Sequence, residues 1–137
     1  LLALIENVDI VLDGTDNFEA RYKHNEACLN AKTPLITGAV IRFEGQLTMF
    51  DHRNANSPCY HCLYPKAIDE PLNCSENGVL GPVAGIIGTM MATEAIKVLL
   101  GIGESLCGKL MLLDALHMEW RSVRLRKDLS CSVCSKE

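Results

Sequence analysis

Two dithiol turns constrain this chain more than any other feature. Cys59-Tyr60-His61-Cys62 stands near the middle and Cys131-Ser132-Val133-Cys134 near the end. A C-x-x-C spacing lets two thiolates reach one ion from a tight turn, and four thiolates complete a tetrahedral shell around Zn²⁺. Taken together, Cys59, Cys62, Cys131 and Cys134 predict one structural zinc site that ties the tail to the middle of the fold. Two local disulfides, a redox C-x-x-C and unrelated thiols are the competing readings. A redox motif needs only one pair, where a strand runs into a helix, and neither pair has that setting. A full shell of sulfurs leaves no open position for water or substrate, so this metal is expected to staple the fold and not to react.

The rest of the composition fits one domain spanning residues 1–137. The chain is 48% hydrophobic and 22% charged, the usual balance of a globular unit. Its net charge is −4 and it has no basic run, which argues against nucleic acid and membrane surfaces as partners. The opening Leu1-Leu2-Ala3-Leu4 lacks the basic flank of a secretory signal. An odd cysteine count with a zinc pattern then predicts a reducing, cytoplasmic setting. The apolar stretch from Val79 to Thr93 reads as a buried core helix, too short to span a bilayer.

Periodicity sets out an α/β order. Val8 to Leu12 reads as a buried parallel strand, and Thr15 or Asp16 can cap a helix from Phe18 to Ala31. The apolar positions of that helix are Phe18, Tyr22, Ala27, Cys28 and Ala31, and Pro34 stops it. Leu35 to Val40 reads as a second strand, which gives a βαβ unit and a parallel sheet with a right-handed crossover. Ile41 to Phe50 alternates as a half-exposed antiparallel strand with Gly45 as a kink or bulge. Tyr64 to Asn77 reads as a crossing loop. Gly78 to Gly101 is the main helix, with Pro82 in its first turn. Gly81, Gly85 and Gly88 thin one side of it and predict close approach of another backbone. Lys109 to Asp114 and Glu119 to Arg126 read as a hairpin.

Two further places could carry chemistry. In an open α/β sheet, ligands bind outside the carboxyl ends of the strands, where Asp13-Gly14-Thr15-Asp16-Asn17 lies. A carboxylate there can hold Mg²⁺ against phosphates, and the helix behind it favours anions. The same letters also describe a plain capped helix start. Cys74, outside both dithiol turns, is a loop thiol just before a helix and so a candidate nucleophile. Glu76 opposes that role, and an inert thiol is the alternative. Cys28 and Cys107 read as small apolar side chains. His61 sits between metal cysteines, while His24, His52 and His117 have no partner pattern.

The ordered stretches resemble a known family. Leu12-Asp13-Gly14-Thr15-Asp16-Asn17, Gly38 to Gln46, Cys59 to Leu63, Gly78 to Pro82, Glu94-Ala95-Ile96-Lys97 and the last C-x-x-C are similar to the ThiF/MoeB/HesA family of E1-like activating enzymes. The resemblance implies the C-terminal part of a Rossmann-like doubly wound sheet with added antiparallel strands and a structural zinc site. It implies ATP and Mg²⁺ as cofactors, and adenylation of the C-terminal glycine of a ubiquitin-like sulfur-carrier protein. Asp16 and Asn17 match the family's Mg²⁺/ATP positions and the four cysteines its zinc ligands. Cys74 matches a position that takes the activated carrier in some members. The resemblance also implies a homodimer. Asp69 to Cys74 looks more like the thiamine branch than the molybdopterin branch. The family's upstream Gly-rich nucleotide loop has no counterpart, so residues 1–137 are expected to be inactive alone, as the C-terminal part of a longer enzyme. The alternative is a zinc-stapled module that docks a ubiquitin-like carrier without chemistry.

Overall fold

The computed structural model describes residues 1–66 and 78–135. The elements run α1 (Leu2–Ile5), β1 (Val11–Asp13), α2 (Phe18–Ala31), β2 (Leu35–Ile41), β3 (Glu44–Phe50), α3 (Tyr60–Leu63), α4 (Gly81–Leu100), β4 (Lys109–Asp114) and β5 (Glu119–Arg124). The strands form one mixed sheet in the order β1-β2-β3-β4-β5. Only β1 and β2 are parallel, and every later neighbour is antiparallel. The βαβ unit is therefore present, and the rest of the sheet is antiparallel.

Helices cover both faces of this sheet, because β2 presents apolar side chains both ways. Leu35 packs with Phe50, Cys28, Ala27 and Tyr60 on the α2 side. Ile36, its neighbour, packs with Met49, Leu47, Ile87 and Met91 on the α4 side. Successive strand residues point to opposite faces, so a strand buried on both reads as a continuous apolar run. The same cause corrects β3, which is not half-exposed: Leu47, Thr48, Met49 and Phe50 are all fully buried. The expected single strand from Ile41 is in fact broken by a two-residue turn, with Ile41 paired to Glu44 and Arg42 in the left-handed region at φ 54°.

Gly45 is neither a kink nor a bulge. It keeps regular register with Val40 and Leu113. A Cβ there would lie 2.6 Å from Ile87 Cγ1, and one at Gly38 would lie 2.4 Å from Met91 Sδ. Both glycines let α4 settle onto the sheet. α4 buries Val83, Ile87, Met91, Glu94 and Ala95, a stripe at helical spacing. It ends at Gly101, left-handed at φ 64°, with Ile102 N–H on Lys97 O and Gly101 N–H on Val98 O, the paired bonds of a Schellman end.

α4 is long and apolar enough to cross a membrane by length and composition, so the expectation of too short a stretch does not hold for the whole helix; 28% of that stretch is buried. Its inner face packs on the sheet, and only that face is core. Gly81, Gly85 and Gly88 meet nothing within 4 Å, so the backbone expected against them is not among the described residues. Buried Glu94 pairs with Lys97 and accepts from Leu106 N–H at 3.0 Å, pinning the loop that follows the helix.

Candidate functional site

The four sulfurs of the two dithiol turns converge. Cys59 caps α3 in extended backbone, and Cys62 lies in its single turn. The Sγ atoms of Cys59, Cys62, Cys131 and Cys134 all lie within 4.8 Å of one another. Cys59 and Cys131 are 3.8 Å apart, Cys59 and Cys62 4.0 Å, and Cys62 and Cys134 3.5 Å. A tetrahedron of Zn–S bonds about 2.3 Å long has edges of about 3.8 Å, whereas a disulfide holds its sulfurs at about 2.05 Å. All four are free thiols, and their spacing is that of ligands around one ion.

The surroundings suit that use. Asp128 N–H points at Cys62 Sγ at 3.4 Å and Val133 N–H at Cys131 Sγ at 3.5 Å, and such outer bonds orient metal ligands. Burial pushes the Cys59 thiol up to about 11, and burial raises Cys134 as well. A redox C-x-x-C needs the opposite shift at its leading thiol, which Cys59 does not have. At Cys131 burial also works against ionisation, but the N–H groups of Cys134 and Val133 hold it below the ordinary thiol value. Thiolates in so confined a place need a cation to offset their charge, which is the chemistry of a metal cluster.

α2 supports this turn through a residue that periodicity did not single out. Asn25 is fully buried; its Oδ1 accepts from Tyr60 N–H at 2.9 Å and its Nδ2 lies 3.2 Å from His61 Nδ1. The expected apolar inner face of α2 is thus partly polar: Arg21 and Asn25 are buried with Ala27 and Cys28, while Phe18, Tyr22 and Ala31 pack only partly buried. The signal lay in the spacing, since Arg21, Asn25 and Cys28 recur at i, i+4 and i+7.

One turn earlier, the same helix holds the loop at the carboxyl end of β1. Asp13 is buried. Its Oδ1 accepts from Thr15 N–H at 2.9 Å and Thr15 Oγ1 at 2.6 Å, and its Oδ2 lies 2.8 Å from His24 Nδ1. Burial works to raise its carboxyl, but the Thr15 and His24 bonds win and hold it below the usual carboxylate range. Arg21 donates through Nε at 3.0 Å, and through a second guanidinium nitrogen, to Thr15 O. The helix cap is Asn17, not Thr15 or Asp16: its Oδ1 accepts from Ala20 N–H at 2.8 Å. Asp16 is left exposed at the rim of a cleft that Thr15, Gly38, Ala39, Gly88 and Met91 also line. The structure therefore assembles the four cysteines as one cluster and presents Asp16 separately on a loop. Cys74 lies outside the described residues, as does the stretch Asp69 to Cys74.

Residues 1–133 match the ThiF family. The chain is 43% identical over 136 residues to the molybdopterin-synthase adenylyltransferase of Escherichia coli, covering 99% of this chain and 54% of that relative. It is 42% identical over 139 residues to the adenylyltransferase and sulfurtransferase MOCS3 of Caenorhabditis briggsae, covering 99% of this chain and 34% of that one. The chain thus spans about half, or less, of the curated relatives it matches. Neither name supports the leaning towards a thiamine branch. In fold it is similar to Escherichia coli MccB solved with MccA-N7isoASN, at a TM-score of 0.79 and 18% identity over 98% of this chain and 43% of that one. It is also similar to MccB solved with ATP, at 0.75 and 19% over 93% of this chain and 40% of that one.

Proposed function

The chain belongs to the ThiF family, and from that premise we propose that it is the C-terminal part of an adenylyltransferase acting on a ubiquitin-like sulfur-carrier protein. In the proposed reaction the carrier's C-terminal glycine carboxylate attacks the α-phosphorus of ATP. A bond forms between the acyl oxygen and phosphorus, the bond to the pyrophosphate oxygen breaks, and pyrophosphate leaves. The attacking carboxylate is already ionised at neutral pH, so positioning and charge neutralisation suffice and no general base is needed.

The observation that carries this reading is Asp16: an exposed carboxylate at the end of a parallel strand, beside the start of α2 and on the rim of a cleft. Mg²⁺ takes one or two carboxylates together with substrate phosphates, and Asp16 is placed to supply one. Asn17 spends its Oδ1 on the helix cap; its amide, which lies 3.5 Å from Asp16 Oδ1, has a second N–H for a phosphate or ribose oxygen. MccB, similar in fold, has been solved with ATP, which supports the same cosubstrate here. The four cysteines take Zn²⁺ in a closed shell that clamps the tail. Cys74 is the candidate to receive the activated carrier for sulfur transfer.

A second copy is proposed to cover the outer stripe of α4. Gly81, Gly85, Gly88, Ala92, Ile96 and Leu99 follow one another at spacings of three and four, all exposed, so they share one face.

ATP–pyrophosphate exchange by the full-length protein, with a β-grasp carrier, tests the central reading. Asp16→Asn is expected to lower exchange by roughly 100-fold or more while the zinc content stays unchanged. Undiminished exchange would overturn the assignment. Cys74→Ala is expected to keep exchange and lose sulfur transfer. A parent protein that binds the carrier but exchanges nothing would favour the docking module.

A further inference from the structure

The Asp16 carboxylate meets the neighbouring Asn17 Nδ2 at 3.5 Å and, among the described residues, no group from outside the loop, yet the residue before it is tied on every polar atom. Thr15 N–H and Oγ1 both donate to Asp13 Oδ1, and Thr15 O accepts from Arg21. Asp13 and Arg21 are themselves buried. The backbone entering Asp16 is therefore set by two buried side chains, of which Arg21 also lines the cleft. Asp13 in turn has one oxygen left, Oδ2, and among the described residues its donor is His24 Nδ1 at 2.8 Å. A carboxylate only accepts, so the imidazole proton facing it sits on Nδ1.

The geometry points to His24 as a positioning residue for the adenylation step. Its Nδ1–H holds the Asp13 carboxylate in the rotamer that grips Thr15, and through Thr15 it fixes where Asp16 presents its charge. This rests on the reading of Asp16 as the Mg²⁺/ATP carboxylate. Without His24, a buried carboxylate oxygen loses its donor. Buried acceptors do not stay unpaired, so Asp13 turns to find another partner and releases Thr15. The loop from Gly14 to Asp16 then loses its inner anchor, and only the Arg21 bond to Thr15 O remains. Misplacing a reacting group by about 1 Å can cost on the order of 100-fold in rate, so a side chain that never touches ATP can govern the step.

The test is a pair of substitutions in the full-length enzyme, read by pyrophosphate exchange at varied Mg·ATP and varied carrier. His24→Asn places an amide N–H where Nδ1 stood and is expected to restore the parent values. His24→Leu offers no donor and is expected to raise the KM for Mg·ATP, or lower kcat, by about tenfold or more, with the KM for the carrier unmoved. Thr15→Val against Thr15→Ser repeats the contrast should His24→Leu fail to fold. His24→Leu and Thr15→Val that only lower the melting temperature, with both KM values and kcat unchanged, would overturn the proposal. So would a His24→Asn enzyme no better than His24→Leu. If Asp16→Asn itself leaves Mg·ATP binding intact, the reading of Asp16 fails; if Asp16→Asn is crippled while His24→Leu and Thr15→Val are normal, only the positioning role fails.

Discussion

Replacing both Cys131 and Cys134 by serine should release the tail and destabilise the whole domain. Two of the sulfur contacts across the cluster, Cys59 to Cys131 and Cys62 to Cys134, each span 72 residues. Clamping a loop of that length removes roughly 15 cal/mol/K from the unfolded chain, or about 4 kcal/mol at 25 °C. The metal's own bonds add to that floor. Among the described residues little else holds the tail: Leu129 is 85% exposed, Lys127 Nζ reaches Ala55 O at 2.7 Å, and the bond of Ser135 Oγ to Asp128 O ties the tail only to itself. For a domain of this size, about 4 kcal/mol lowers the melting temperature by roughly 10–20 °C. Elemental analysis should find one zinc per chain in the parent and none in the double variant. A strong chelator should lower the parent's melt towards the variant's and leave the variant's where it is. Parent protein free of zinc, or a double variant that melts with the parent, would refute both the closed shell and the clamp.

Two further outcomes follow from the packing. Gly45→Ala forces a methyl against Ile87, where the nearest carbon is 2.6 Å away, and should cost about 1–3 kcal/mol. In an Ile87→Ala background the same change should become neutral or stabilising, since alanine orders a strand at less entropic cost than glycine; urea denaturation of the four proteins reads the reversal, and equal costs in both backgrounds would sink it. His52 is buried, and burial pushes its imidazole down to about 4 from 6.5, with Nε2 lacking a hydrogen-bond partner among the described residues. Between those values the unfolded chain binds the proton and the folded one does not, so stability falls as pH drops from about 6.5 towards 4, by on the order of 2–3 kcal/mol. His52→Phe should flatten that part of the urea-midpoint profile, and parallel profiles for parent and variant would count against it.

Much of this was legible in local letters. Phe18 to Ala31 is a helix over those very residues, because a run of capping residues and a terminating Pro34 bracket it, although the cap is Asn17 and not the expected Thr15 or Asp16. Pro82 and Gly101 mark the ends of α4 to within three residues at the start. The hairpin of β4 and β5 followed from two β-rich runs around a short turn. The inner face of α2 was harder to see. Arg21 and Asn25 look like surface residues in a polar helix, and they are buried because the loop before the helix and the first residue of α3 lend them backbone partners. Thr48 likewise looks like the polar side of an alternating strand, and it is buried because helices cover both faces, with its hydroxyl donating to Lys109 O at 2.6 Å.

The sequence by itself determined α2, most of α4, the β4–β5 hairpin, the C-x-x-C spacing and the family, since caps, periodicity and ligand spacing act within a few residues. Only the tertiary structure decided that the two dithiol turns share one cluster, that α2 braces both that cluster and the Asp16 loop from one buried polar stripe, and that Gly38 and Gly45 exist to admit α4. Those facts depend on which groups meet across long stretches of chain, and burial drives most such polar groups to find their partners there.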